Sequence, residues 1–410
     1  MSDPTGGPLK GVRVLDLSRV LAGPWATQLL ADLGADVIKV ERPDGGDDTR
    51  GWGPPFLPGE DGQHGDAAYY LSANRNKRSI CIDLTKPEGA ELVREIAKSS
   101  QILMENFKVG GLKKYGLDYE SISKIAPHIV YCSITGFGQT GPFAPRAGYD
   151  YIVQAMSGLM SVTGQPDGAP GAEPMKAGIA VADLFTGLFS VAGALAALRH
   201  AEATGEGQHV DLALLDCQIA ALTNQATNYL VGGTAPTRMG NAHPNIVPYQ
   251  VFRTSDGHVV LACGADRQFR HFCEAIDQPA LAEDPRFAKN EDRVRHRADL
   301  IPLLEAEFVG RSTDEWIALL ESAGVPGGPI NTMDRVFSQE QVVARGLAKE
   351  TGRAGTLIGC PVNLSRTPAV DPKEPPRLDE NGDEILSDVL GFSEEKIASL
   401  RRNGVVGANR

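Results

Sequence analysis

The chain has 410 residues, 42% of them hydrophobic and 22% charged, and a formal net charge of −12. That length exceeds what one hydrophobic core usually supports, so two domains are expected, and the composition is that of a folded globular protein. The acidic balance excludes a nucleic-acid partner, whose affinity rests on Lys and Arg, but leaves room for one phosphorylated ligand in a local basic pocket.

The six cysteines, Cys81, Cys132, Cys217, Cys263, Cys273 and Cys360, are scattered, with no C-x-x-C pair and no histidine at zinc spacing. Neither a metal site nor a disulfide framework is expected, and free thiols suit a reducing cytoplasm. The N-terminus MSDPTGGPLKGVRVLDL lacks the charged region, apolar run and cleavage site of a secretory signal, so a cytoplasmic protein is expected.

Strand and helix signals alternate along the first hundred residues: VRVLDLS, GPWATQLLADLG, DVIKVER, SICIDL, PEGAELVREIAKSS, QILMEN. This alternation predicts βαβ units, a parallel sheet and an α/β fold. In the second helix Leu92, Val93 and Ile96 share one face against Glu91, Arg94, Glu95 and Lys98, and Pro87 sits at the start, where its missing N–H is harmless. After IVYCSIT come two Gly/Pro-rich loops, GFGQTGPFAPRAG and TGQPDGAPGAEPMKAG, and two long loops close together in the chain suggest a site.

Apolar helices are predicted at 181–202 and 211–231, the second stopping at Gly232-Gly233. The first is nearly long enough to span a bilayer but carries Asp183, so a buried helix is expected and no membrane partner. A first domain therefore covers 1–232. Residues 233–335 read as a smaller α+β domain, opening with a hairpin, VPYQVFRTSDGHVVLAC, around Asp256-Gly257. Residues 336–410 are Pro-rich and end in a helical segment, SEEKIASLRRNG.

GFGQTG matches G-x-G-x-x-G after a strand, but Pro142, Pro145 and Gly148 follow where a dinucleotide fold needs a helix, so nicotinamide binding is not expected. Asp183 lies just inside its helix. An acid there is favoured by unpaired backbone N–H groups, and the same groups would keep a carboxylate ionised and nucleophilic; position leaves both roles open. Arg42, Lys77, Arg78, Lys113 and Lys114 fall near strand ends or βα turns, where open α/β sheets bind ligands, yet each taken singly also reads as a solvated charge.

The segments GVRVLDLSRVLAGPWATQLLADLGADVIKVERP, NRNKRSICIDL, ENFKVGGLKKYGLD, SITGFGQTGPFAPRAGYDYIVQAMSG, ADLFTGLFSVAGALAAL and GQHVDLALLD, in this order over nearly the whole chain, resemble the class III CoA-transferases. The related α-methylacyl-CoA racemases share the pattern. The resemblance implies a Rossmann-like large domain built from both chain ends, with 336–410 rejoining it, a smaller central domain, and an interlocked homodimer. It implies Asp183 as the catalytic nucleophile, and a CoA site formed by Val20, Leu21, Ala22, Arg42, Ile82, Asp83, Leu84, Thr85, Asn106, Phe107, Lys114, Arg146, Gly148, Tyr149 and Asp150. Arg42 and Lys114 would meet phosphates. Coenzyme A is then a substrate moiety, with no tightly bound cofactor and no metal.

By the same resemblance, Asp183 attacks an acyl-CoA to give a mixed anhydride and then an aspartyl-CoA thioester, with Gly136 and Gly138 giving room and N–H groups to the oxyanion. Racemases have a histidine base where this chain has Tyr149, and a tyrosine with a pKa of about 10 is a poor base for an α-proton, so transfer is preferred to racemisation. The oxalate enzyme's glycine tetrad is absent. GNAHPNIVPYQVF instead resembles transferases that use succinyl-CoA, with Arg238 or His243 to receive a distal carboxylate, so a succinyl-CoA donor and a dicarboxylate acceptor are expected.

Overall fold

A computed structural model describes residues 6–59 and 62–408. The chain divides into two compact units, Met1–Leu159 with Ala177–Ala226 and Gln341–Arg410, and Met160–Lys176 with Thr227–Glu340. Residues 160–176, read from sequence as part of the large domain, cluster with the second unit.

The first unit is built on six strands, β1 (Arg13–Asp16), β2 (Asp36–Glu41), β3 (Lys77–Cys81), β4 (Ile102–Glu105), β5 (Val130–Thr135) and β6 (His209–Ala213), in the order β3-β2-β1-β4-β5-β6. Every pairing is parallel. Parallel strands are buried on both faces and read as continuous apolar runs, as β4 does with all four residues buried. Successive residues point to opposite faces, so Leu15, Ile38 and Leu103 enter one core while Val14, Val37 and Ile102 enter the other. The order reverses between β1 and β4, and the crevice at the carboxyl ends of those two strands is where such sheets hold ligands.

Helices cover both faces: α1 (Ala22–Asp32), α2 (Pro87–Lys98), α3 (Asp150–Met156), α4 (Val181–Thr204) and α5 (Leu214–Ala221). Pro87 opens α2 as its spacing predicted. The C-terminal segment covers the outer edge of β3: Cys81 N–H donates to Asp379 Oδ1 at 2.8 Å and Asn381 N–H to the Ser79 carbonyl at 2.9 Å. Ile385, Leu386, Ile397, Leu400, Val405 and Val406 fill the adjoining core, so the edge cannot template pairing with another strand.

Two expectations for 181–232 fail. HVDLA is not helical but forms β6, whose Leu212 and Ala213 are buried beside β5; a five-residue strand running straight into α5 has too little alternation to stand out from the helix after it. The apolar helix is also not wholly buried. The small residues Ala182, Gly187, Ser190, Ala194 and Ala197 face inward, and a Cβ on Gly187 would stand 3.0 Å from both the Ala22 carbonyl and the Trp25 ring, so α1 and α4 pack backbone to backbone. Phe185, Leu188 and Phe189 on the opposite face are 38%, 48% and 44% exposed. Among the described residues α4 alone is long and apolar enough to cross a membrane, with a mean hydropathy of 1.8, and it packs as a surface helix of the α/β unit.

In the second unit β7 (Tyr249–Arg253) and β8 (His258–Ala262) form the predicted antiparallel hairpin, and β9 (Gly327–Pro329) pairs with β8. The turn spans residues 254–257 and is tied by Asp256, whose Oδ1 accepts from Thr313 N–H at 2.8 Å. Stacked rings make the core, with Trp316 and Phe252 at 4.1 and 4.3 Å from Phe308. The fully buried Arg293 is satisfied by the Val247 and Phe287 carbonyls at 2.6 and 2.8 Å and by Asp266 at 3.0 Å.

Candidate active site

The carboxyl ends of β1, β4 and β5, together with the start of α4, surround a cavity of about 240 Å³ lined by Val20, Leu21, Ala22, Asn106, Phe107, Arg146, Gly148, Tyr149, Asp150 and Asp183. A second cavity, also of about 240 Å³, is lined by Arg42, Ile82, Asp83, Leu84, Thr85 and Tyr115 and shares Arg19 and Phe107 with the first. Of the CoA-site residues implied by the resemblance, Lys114 lines neither; its ammonium lies 4.6 Å over the Tyr115 ring.

Asp183 stands in the first turn of α4. Both roles left open by its position rest on the unpaired N–H groups of that turn, and in the structure those groups go elsewhere. The N–H groups of Ala182 and Asp183 donate to Asp150 Oδ1 at 2.9 and 3.4 Å, so Asp150, from another helix, caps α4. Gln154 Nε2 holds the other Asp150 oxygen at 2.7 Å, and Gln154 Oε1 accepts from Ala177 N–H at 2.8 Å, which fixes the entry to the helix. The Asp183 carboxylate accepts no hydrogen bond among the described residues. Burial, and then the nearby Asp150, push it from 3.8 up to about 7. A half-buried, unshared carboxylate titrating near neutrality is a strong oxygen nucleophile once ionised. Tyr69, which the sequence reading did not single out, feels the same charges: burial, then Asp183, raise its phenol above the usual value.

The turn between β1 and α1 is tied down atom by atom. Ser18 N–H donates to Asp16 at 2.9 Å and its carbonyl accepts from Lys39 Nζ at 2.9 Å. Asn106 accepts from Arg19 N–H at 3.0 Å and donates to the Arg19 carbonyl at 2.6 Å. Val20 N–H donates to both oxygens of Asp47, at 3.3 and 3.2 Å. Val20 has φ +72, a left-handed conformation that costs a β-branched residue about 1–3 kcal/mol.

The basic residues separate by which end of the sheet they occupy. Lys77 begins β3 and is buried, donating to Asp16, Asn74 and the Pro24 carbonyl at 3.1, 2.8 and 2.8 Å. Burial lowers its ammonium to about 8 against the pull of Asp16. Arg78 pairs with Asp36 at 2.7 Å, at the start of β2. Both are thus structural rather than phosphate ligands. Arg42 is at the ligand end, 51% exposed and held by Asp48 at 2.6 Å, while Arg19 approaches the other Asp48 oxygen at 4.0 Å.

The two glycines given an oxyanion role divide as well. The Gly138 N–H is taken by Thr135 Oγ1 at 2.9 Å, which removes it as an oxyanion donor. Gly136 lines the cavity, and a Cβ there would stand 2.5 Å from the Gly148 Cα, so both positions must be glycine for the two loops to touch. No helix follows GFGQTG until Asp150, so no helix N-terminus meets that loop as dinucleotide binding requires.

Arg238 and His243 belong to the second unit. Arg238 donates to the Asp167 carboxylate and to the Gln165 carbonyl. The His243 ring packs on Tyr249, and burial, then Arg297, lower its pKa, so it is a neutral acceptor for Asn245 N–H rather than a cation.

The model of CoA-transferase family III matches residues 9–382. A succinate–glutarate CoA-transferase of Agrobacterium fabrum is 52% identical over 93% of this chain and 96% of its own length. The succinyl-CoA:glutarate CoA-transferase of Mus musculus is 46% identical over 97% and 90%. The crystal structure of a CaiB/BaiF family protein from Brucella suis superposes with a TM-score of 0.82 at 49% identity, covering 94% of this chain and all of that one. On the family match and these identities, this chain belongs to CoA-transferase family III and is a CoA-transferase, acting on an acyl-CoA and a carboxylic acid.

Proposed function

We propose that the chain moves CoA from succinyl-CoA to a dicarboxylate such as glutarate, with Asp183 as the nucleophile. The observation that carries this is the Asp183 carboxylate itself, lining the crevice without a hydrogen bond among the described residues while Asp150 takes the helix N–H groups it would otherwise use. One Asp183 oxygen attacks the thioester carbonyl; the C–S bond breaks, leaving a mixed anhydride and CoA thiolate. The thiolate attacks the aspartyl carbon, forms an aspartyl-CoA thioester and expels succinate. The acceptor carboxylate attacks that thioester, releasing thiolate again, and thiolate takes the acceptor acyl group from the second anhydride and frees Asp183. No proton is gained or lost, and the cavity walls must exclude water from both anhydrides.

The donor and acceptor follow from the activities named for the Agrobacterium and mouse relatives. Among the described residues lining the Asp183 cavity there is no histidine, and Tyr149 is 66% exposed, which favours transfer over α-proton removal. The exposed Phe185, Leu188 and Phe189 of α4 fit burial against a second copy of the chain in a homodimer. The test is a transfer assay from labelled succinyl-CoA to a panel of carboxylic acids, run beside a 2-methylacyl-CoA in heavy water. Ping-pong transfer to dicarboxylates without α-deuteration is expected; α-exchange without transfer to any acid overturns the reading.

A further inference from the structure

The buried pair Lys39–Asp47 is not needed by the chemistry above and lies outside the Asp183 cavity, in the wall of the second one, yet it is bonded to the turn that lines the first. Lys39 is fully buried and Asp47 is 3% exposed. Lys39 Nζ bridges Asp47 Oδ2 and the Ser18 carbonyl, both at 2.9 Å. Thr49 orients Asp47 through its N–H and hydroxyl at 3.0 and 2.8 Å, leaving the carboxylate aimed at Val20 N–H. Although burial opposes it, Lys39 and these hydrogen bonds hold the Asp47 carboxyl down to about 2, so the anion persists at every working pH.

Val20 is the residue this carboxylate restrains, and it sits at φ +72, where a branched side chain would not stay unaided. Glycine would occupy that φ freely. A glycine here would also let the turn relax to other conformations, whereas valine held by a buried anion has one. We infer that Lys39–Asp47 is a positioning pair for CoA: it forces Val20 into the left-handed conformation and thereby sets the backbone of Val20, Leu21 and Ala22 against the bound acyl-CoA. The inference rests on the CoA-transferase reading of the same crevice.

The test removes both charges together, as Lys39→Met/Asp47→Ala, so that neither is stranded in the core. Two readouts are taken, CoA affinity by calorimetric titration and kcat/KM for succinyl-CoA. The first reports on the turn even where the transfer substrates are wrong, so failure of the substrate reading leaves the inference decidable. The double variant is expected to lose about 10- to 100-fold in both. Adding Val20→Gly to it is expected to recover at least about tenfold without restoring Tm, because glycine accepts φ +72 without the carboxylate. Asp47→Asn, which keeps the shape and one acceptor oxygen, is the milder background if the double variant does not fold, with a smaller loss and the same rescue. Unchanged CoA affinity in the double variant, no rescue by glycine, or failure of both backgrounds to fold overturns the positioning role and leaves the pair a part of the core alone.

Discussion

Asp183→Asn is expected to abolish transfer and yet stabilise the protein. Burial and Asp150 raise the Asp183 carboxyl from 3.8 to about 7, which corresponds to about 4 kcal/mol against the ionised form. The sign follows from which state ionises first. Below 3.8 both folded and unfolded chains hold the proton and nothing is lost; between 3.8 and about 7 the unfolded chain ionises while the folded one does not, and stability falls. Asparagine is neutral throughout, so its advantage is absent at the acid end of that window, grows across it, and levels off above it. The upper bound of about 4 kcal/mol translates to about 4–5 °C in Tm for 410 residues with an unfolding entropy of about 2.1 cal/mol/K each. Thermal melts of both proteins across the window read this directly. A Tm difference that is the same at every pH, or a destabilised asparagine variant at the alkaline end, refutes the assignment of a buried, repelled carboxylate.

Other expectations follow from single contacts. The kcat/KM for acyl-CoA should rise with pH and level off near 7, as the free enzyme's Asp183 ionises; a flat profile from mildly acidic to alkaline pH contradicts it. Gly136→Ala puts a Cβ 2.5 Å from the Gly148 backbone, so turnover should fall by at least about tenfold while the parallel sheet survives by circular dichroism. Asp48→Asn frees Arg42 and Arg19 from a competing carboxylate, and since such an exposed pair is worth about 1 kcal/mol at most, KM for acyl-CoA should drop by up to about fivefold, less at high salt. Trp316→Ala, which empties the aromatic core of the second unit, should cost about 3–5 kcal/mol by denaturant unfolding.

The sheet was legible because short β-rich runs, most clearly ILME of β4 and VYCSIT of β5, alternate with helical segments of clear period. β6 was not, since its five residues carry His209 and Asp211 and merge with the apolar start of α5. Among the basic residues the signal was ambiguous for a geometric reason: a parallel strand has two ends, and only the three-dimensional order shows that Arg42 leaves β2 at the ligand end whereas Lys77 and Arg78 enter β3 at the other. The resemblance picked out Asp183 and Asp150 but not the cap that joins them. The Asp183 N–H goes to a residue 33 positions earlier in the chain, a pairing no local pattern encodes. The role of Asp47 was likewise invisible, because it depends on the backbone angle of Val20, and valine gives no sign of a left-handed turn as glycine would.

Trapping shows whether Asp183 carries the acyl group and then CoA. Wild-type protein is incubated with succinyl-CoA and no acceptor, quenched with hydroxylamine, digested and read by mass spectrometry. Hydroxamate is expected at Asp183, one per chain at most, abolished in Asp183→Asn and reduced when glutarate is present to carry CoA away. Full transfer activity with no modification at Asp183, or the same modification at another carboxylate in the Asp183→Asn protein, contradicts it.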